Sequence, residues 1–317
     1  MLTPLEQSIH RTATWFSLFE TPVTVFELWK WMQEPDRAYS LEETHAALEG
    51  EWLRDRLVEV DGVWTTRLSG VSATASERRT RFLDAARKFK KLHRAMRYVR
   101  LVPGVVAVAA GNTLAWWNTR PDSDIDLLVV TRPGMVWLAR LLVVMPFALL
   151  GKRPGATAVD PFCFSFFATT ESLDFSSLRL EGGDPYLAYW VRSLVPVLDR
   201  GGVFDRIVEE NGWTQEILSN VEISRRPPLT PPPNEEGKRN GGDGRSFVAT
   251  TFERLAKTIQ LRRFPPKIRS LMNVDSRVVV NDRVLKFHEN DRREEYRDKL
   301  NELCASPAPA SPTTSSS

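Results

Sequence analysis

Cysteine is nearly absent: Cys163 and Cys304 are the only two in 317 residues, one in an apolar stretch and one near a polar tail. That scarcity argues against a disulfide framework or a cysteine-built metal centre and leads us to expect a reducing, cytoplasmic setting. Histidine is scarce as well, with four in the chain. Neither His93 nor His288 has partners at ligand spacing, so both read as structural. No internal repeat is found. No run reaches the ~20 apolar residues that span a bilayer. The longest, 141–150, extends an apolar stretch over 135–139, but Arg140 and Pro146 interrupt it. It reads as a buried helix, with contact to a membrane surface as the lesser alternative. The first eleven residues lack a basic segment followed by an apolar one, so no secretory signal is expected. Charge is not one-sided either. A net charge of +3 and a pI near 8.9 permit an anionic partner without demanding one.

What is present is concentrated between Val105 and Val130. Residues 105–110 read as a buried strand ending in Gly111-Asn112. Ser123-Asp124-Ile125-Asp126 then opens a second strand of branched apolar residues through Thr131. Side chains alternate along a strand, so Asp124 and Asp126 share one face while Ile125 turns to the core. Two carboxylates so placed suit a hard divalent cation, which completes its shell with water and substrate phosphate. A glycine turn lets backbone amides cradle an anion. The plain alternative is a solvated strand end.

The stretch from Gly111 to Val130 resembles the nucleotidyltransferase superfamily that includes DNA polymerase β. Its signature is Gly-Ser, a short spacer and Asp-x-Asp/Glu on a strand. Residues 120–127, Arg-Pro-Asp-Ser-Asp-Ile-Asp-Leu, are very close to small prokaryotic nucleotidyltransferase domains. Asn112 replaces the usual serine. The resemblance implies an α+β fold with a nucleotidyltransferase-type mixed sheet and flanking helices. It also implies Mg²⁺ or Mn²⁺ at Asp124 and Asp126, and an NTP substrate seated by Gly111, Asn112 and Ser123, with Ser123 shaping the turn. Such sites often carry a third carboxylate on a later strand. Asp160 is the only candidate in 158–167, and Pro161 beside it leaves open a turn residue or a catalytic one.

The remaining chain divides by pattern. Residues 1–75 suggest a winged-helix-like domain. A helix spans 5–19, Thr24 to Glu27 and Ser40 to Glu43 are capping boxes, and Asp61-Gly62 joins two short strands. The third helix, 41–52, carries Glu42, Glu43, Glu49 and Glu51 with no Lys or Arg. DNA binding is therefore less expected than protein contact or packing. Residues 76–175 form the nucleotidyltransferase core with a leading basic helix, 78–100. One stripe of that helix (Phe82, Ala86, Phe89, Leu92, Met96, Val99) packs inward. Arg87, Lys88, Lys90, Lys91, Arg94, Arg97 and Arg100 form either a solvated face or a track for an RNA or protein acceptor. A helical extension (176–224) with helices at 185–196 and 203–211, a disordered linker (225–246), a C-terminal helical segment (247–304) and a disordered tail (305–317) follow. In the C-terminal segment, 277–280 and 284–288 suggest a hairpin. The expected activity is transfer of a nucleoside monophosphate to a hydroxyl with release of pyrophosphate. The alternative is a catalytically weakened regulatory or antitoxin-like binding protein of the same fold.

Overall fold

The computed structural model describes residues 2–67, 75–155, 159–221 and 244–306. Most of the linker and tail expected over 225–246 and 305–317 lies outside them. Three N-terminal helices, α1 (Pro4–Ser17), α2 (Val25–Lys30) and α3 (Leu41–Leu48), each begin with a reciprocal capping box, Thr3/Glu6, Thr24/Glu27 and Ser40/Glu43. Each box satisfies two otherwise orphaned amides. The helix expected over 41–52 breaks near Gly50, and α4 (Glu51–Arg54) continues as a separate turn. Strands β1 (Leu57–Val60) and β2 (Val63–Thr66) pair antiparallel across Asp61-Gly62, whose φ values are 52° and 79°. Two left-handed residues suit a tight hairpin turn.

A 25-residue helix, α5 (Ala75–Val99), leads into a six-stranded mixed sheet. Its strands are β3 (Val105–Ala110), β4 (Ile125–Thr131), β5 (Phe162–Thr169), β6 (Val195–Asp199), β7 (Val278–Val280) and β8 (Val284–Phe287), in the order β6-β3-β4-β5-β8-β7. Only β4 and β5 are parallel neighbours. The connection between them is α7 (Val136–Leu149), since parallel strands need a crossover. The short α6 (Asn112–Ala115) follows β3. Helices α8 (Pro185–Ser193), α9 (Val203–Glu210) and α10 (Thr214–Ile217) precede the C-terminal part of the described chain. That part holds α11 (Gly244–Arg263), α12 (Pro266–Leu271) and α13 (Arg293–Ala305).

One sheet face packs on α5, α7 and α11 through residues such as Leu92, Val108, Ile125, Val143 and Ala256. The other packs on α8 and α9 through Ala109, Leu128, Phe166, Trp190 and Ile207. The N-terminal module shares a third cluster with α8 and α13 around Trp15 and Tyr189, whose rings stack at 5.0 Å. Among the described residues no helix is long and apolar enough to cross a membrane.

Two sequence expectations need correction. The helix expected over 185–196 ends at Ser193, and 195–199 becomes edge strand β6. Pro196 cannot continue a helix, and at the sheet edge its missing amide is harmless. The inward stripe of α5 is also displaced. Arg81, Ala85 and Lys88 are buried, while Phe82 is half-exposed and stacks on Trp117 at 4.9 Å. Moreover, β6 and the β7-β8 hairpin join the same sheet as β3, β4 and β5, so that sheet draws on chain outside 76–175.

Candidate active site

Gly111 closes β3 in an extended conformation (φ −122°) that any residue adopts. Space favours glycine: a Cβ there would stand 3.0 Å from the Trp190 indole nitrogen, so the indole would have to shift. The bare side of Gly111 is thus turned to α8, and its amide donates to the Asp126 carbonyl at 3.0 Å. Asn112 takes a left-handed φ of 51°. Asparagine tolerates that region far better than most residues, which gives a physical reason for its presence in place of serine. Its amide hydrogen-bonds the Asp126 carboxylate, and its Oδ1 accepts from the Tyr186 hydroxyl at 3.2 Å. The Asn112 side chain is therefore already engaged on two sides.

Asp126 lies within β4 and Asp124 just before it, on the face turned to α8. Burial pushes the carboxyl of Asp126 up, opposed by bonds from Asn112 and Cys163 and reinforced by Asp124. Burial also raises Asp124, with Lys88 pulling it down and Asp122 pushing it up. Both acids thus sit where their negative charge is under-compensated. Directly across the β4-β5 register, Cys163 faces Asp126. Its thiol is pushed up by burial and by Asp126, donates to that carboxylate, and accepts from Ser165. The Ser165 hydroxyl in turn meets His288 Nε2 at 3.4 Å. Position 163, on the strand beside Asp126, is therefore neutral.

Ser123 shapes the turn ahead of Asp124: its hydroxyl accepts from the Arg120 amide at 3.0 Å. The same loop is pinned from α5. The fully buried ammonium of Lys88 donates to the carbonyls of Arg120 and, at 2.7 Å, Ser123, and lies 3.2 Å from Asp84. Asp160 is placed differently from the other two candidate acids. It precedes β5, is buried, and accepts two 2.6 Å bonds from the Arg87 guanidinium. Lys91 lies 3.4 Å from it and bonds its carbonyl. These cations, Arg87 first, hold its carboxyl below the ordinary range. Asp160 anchors α5, and three residues of the expected cationic track, Arg87, Lys88 and Lys91, are spent on these anchors.

Beside Asn112 opens a cleft of about 240 Å³ lined by Tyr186, Trp190, Lys286, His288 and Arg292. Tyr186 stacks on Tyr296 at 5.9 Å, and Arg292 lies over the Tyr296 ring at 5.0 Å. Lys286 is pushed down to about 8, first by burial and then by Arg293. Burial, then Lys286, lowers His288 to about 3, so its ring is neutral at physiological pH. Its Nδ1 is buried without a partner. Sequence reasoning missed Lys88, Cys163, Tyr186 and the cleft role of His288. Only Cys163 carried a local signal, through its alternation with the apolar residues of β5.

Among the described residues, no group of three or more His, Cys, Asp or Glu is gathered to hold a metal ion. Asp124 and Asp126 supply two carboxylates on one face of β4, and a hard divalent cation held by so few protein ligands takes the rest of its shell from water and phosphate oxygens. Comparison with protein-family models, curated proteins and solved structures finds no match to this chain.

Proposed function

We propose that this chain is a Mg²⁺- or Mn²⁺-dependent nucleotidyltransferase that moves a nucleoside monophosphate from an NTP to a hydroxyl acceptor. The observation that carries this reading is the partly buried pair Asp124 and Asp126, set at one sheet end beside the Gly111-Asn112 turn. The bound cation would neutralise phosphate charge and align the leaving pyrophosphate. Asp124 and Asp126 hold it. Asn112, fixed by Tyr186, orients the Asp126 carboxylate. Lys286 and Arg292 supply positive charge at the cleft, and Tyr186, Trp190 and Tyr296 supply faces for a base.

A second reading, a nucleotide-binding regulatory or antitoxin-like protein of the same fold, is favoured by one specific feature. Asp160 is bound to Arg87, the residue facing Asp126 is a neutral thiol, and the cleft carboxylate Asp291 is paired with Arg293, so none of these three is free to take the acceptor proton. The test is label incorporation and pyrophosphate release from each α-labelled NTP with Mg²⁺ or Mn²⁺, offering RNA and total protein as acceptors. Incorporation lost in Asp124→Ala/Asp126→Ala supports the transferase. Nucleotide binding without incorporation supports the regulatory reading.

A further inference from the structure

The far end of α7 leaves an apolar tip uncovered. Arg140 is its one charged residue, and it is half-buried, lying over Phe287 and donating to Gln260. The last turn then emerges: Met145 is 45 %, Leu149 79 % and Leu150 71 % exposed, and Val159 beyond the turn is 67 % exposed. Single exposed leucines are ordinary, but Met145, Leu149 and Leu150 together at one helix end form a patch.

The patch and the basic side of α5 belong to one surface. Lys152 N donates to the Phe147 carbonyl at 2.7 Å, and Phe162 N to the Lys152 carbonyl at 2.8 Å. Lys91 Nζ reaches the Val159 carbonyl at 2.7 Å and lies over the Phe162 ring. At its other end, α5 touches α7 through Tyr98, whose hydroxyl donates to the Leu142 carbonyl at 2.7 Å. Lys90, Arg94 and Arg97 are exposed along α5, and neither they nor Lys152 has an ion-pair partner among the described residues. Charge is sharply segregated here: residues 85–104 and 132–159 contain no Asp or Glu.

We propose that this face, the aliphatic tip of α7 rimmed by the unpaired cations of α5, docks on an anionic phospholipid bilayer. Aliphatic side chains enter the acyl boundary while Lys and Arg meet the headgroup charge, the two contributions on which peripheral binding depends. A nucleic-acid track would instead offer aromatic faces or amides for bases. Leu149, Leu150, Met145 and Val159 offer neither. The contact is peripheral, and it is independent of whether the acid pair transfers a nucleotide.

The test is sedimentation of the full chain with phosphatidylcholine vesicles and with phosphatidylcholine/phosphatidylglycerol vesicles, across a salt series. Binding is expected to the anionic vesicles and to weaken with salt. Leu149→Glu/Leu150→Glu should lower partitioning about tenfold or more. Arg94→Gln/Arg97→Gln should lower it by on the order of twenty-five-fold, about fivefold for each cation lost. Both pairs are exposed, so unchanged thermal melts would show that the fold is kept. Equal binding to neutral vesicles overturns the proposal. So does absence of vesicle binding, whether the same variants lose RNA binding or neither partner binds because the chain covers its own tip.

Discussion

Replacing Lys88 by methionine tests whether α5 sets the position of the acid pair. The ammonium is wholly buried and bonds the carbonyls of Arg120 and Ser123, with Asp84 at 3.2 Å. Methionine fills similar volume, so no large cavity follows. Each charge-assisted bond contributes ~1.5–3 kcal/mol, and each stranded carbonyl costs ~1–3 kcal/mol. Relief from burying a charge offsets part of that loss. The net destabilisation should be about 3 kcal/mol. In a chain of this size that lowers Tm by roughly 4–6 °C. Differential scanning calorimetry of Lys88→Met against wild type at neutral pH measures it directly. A Tm within a degree of wild type would refute the claim that Lys88 holds the loop, and with it the account of how Asp124 is placed.

Asp160→Asn should cost about 2 kcal/mol, because Asp160 is buried but its partner Arg87 is half-exposed and partly screened. Nucleotide incorporation should persist in the surviving folded protein, whereas a catalytic Asp160 would lose activity at unchanged stability. The stability that this ion pair supplies is present above the ordinary aspartate value of 3.8 and is lost as pH falls through its lowered folded value, which acid titration by circular dichroism follows. The acid pair carries the opposite sign. Asp124 and Asp126 are raised, so the folded state holds protons that the unfolded state has released, and stability falls as pH rises from 3.8 through their folded values. A divalent cation displaces those protons, so the Tm gain from Mn²⁺ should grow with pH over that window, and a pH-independent gain would remove the pair as its ligand. Cys163→Asp places a carboxylate opposite Asp126. It should lower the metal-free Tm by several degrees and enlarge the Mn²⁺-induced gain beyond that of wild type, both read by the same melts.

What the sequence disclosed was local. The capping boxes at Thr24 and Ser40, the Asp61-Gly62 turn and the β4 alternation each depend on residues within four positions, and each is found where the pattern put it. What it withheld was fixed by distant partners. Residues 195–199 become a strand because the edge of β3, some ninety residues earlier, offers its ladder. Periodicity placed the α5 stripe on Phe82 and Ala86, yet the buried positions include Arg81 and Lys88, cations admitted by carbonyl and carboxylate partners at Glu20, Arg120 and Ser123. Asp160 looked like a third site acid because it was the only carboxylate near its strand. Arg87, 73 residues away, is what decides its role.

These long-range contacts change what α5 is for. Strands β4 and β5 are parallel, so their first residues lie side by side, Ile125 opposite Phe162. Lys88 grips the loop before β4, while Arg87 and Lys91 grip the residue two before β5. One helix thus clamps both strand starts and fixes how Asp124, Asp126 and Cys163 stand to one another. On the proposed function this bracing matters, since a cation held by few protein ligands depends on their spacing. The basic character of α5 is then largely internal bracing. The cations left over, Lys90, Arg94 and Arg97, face outward beside the α7 tip, so any anionic macromolecule that reads this helix meets aliphatic side chains as well as charge.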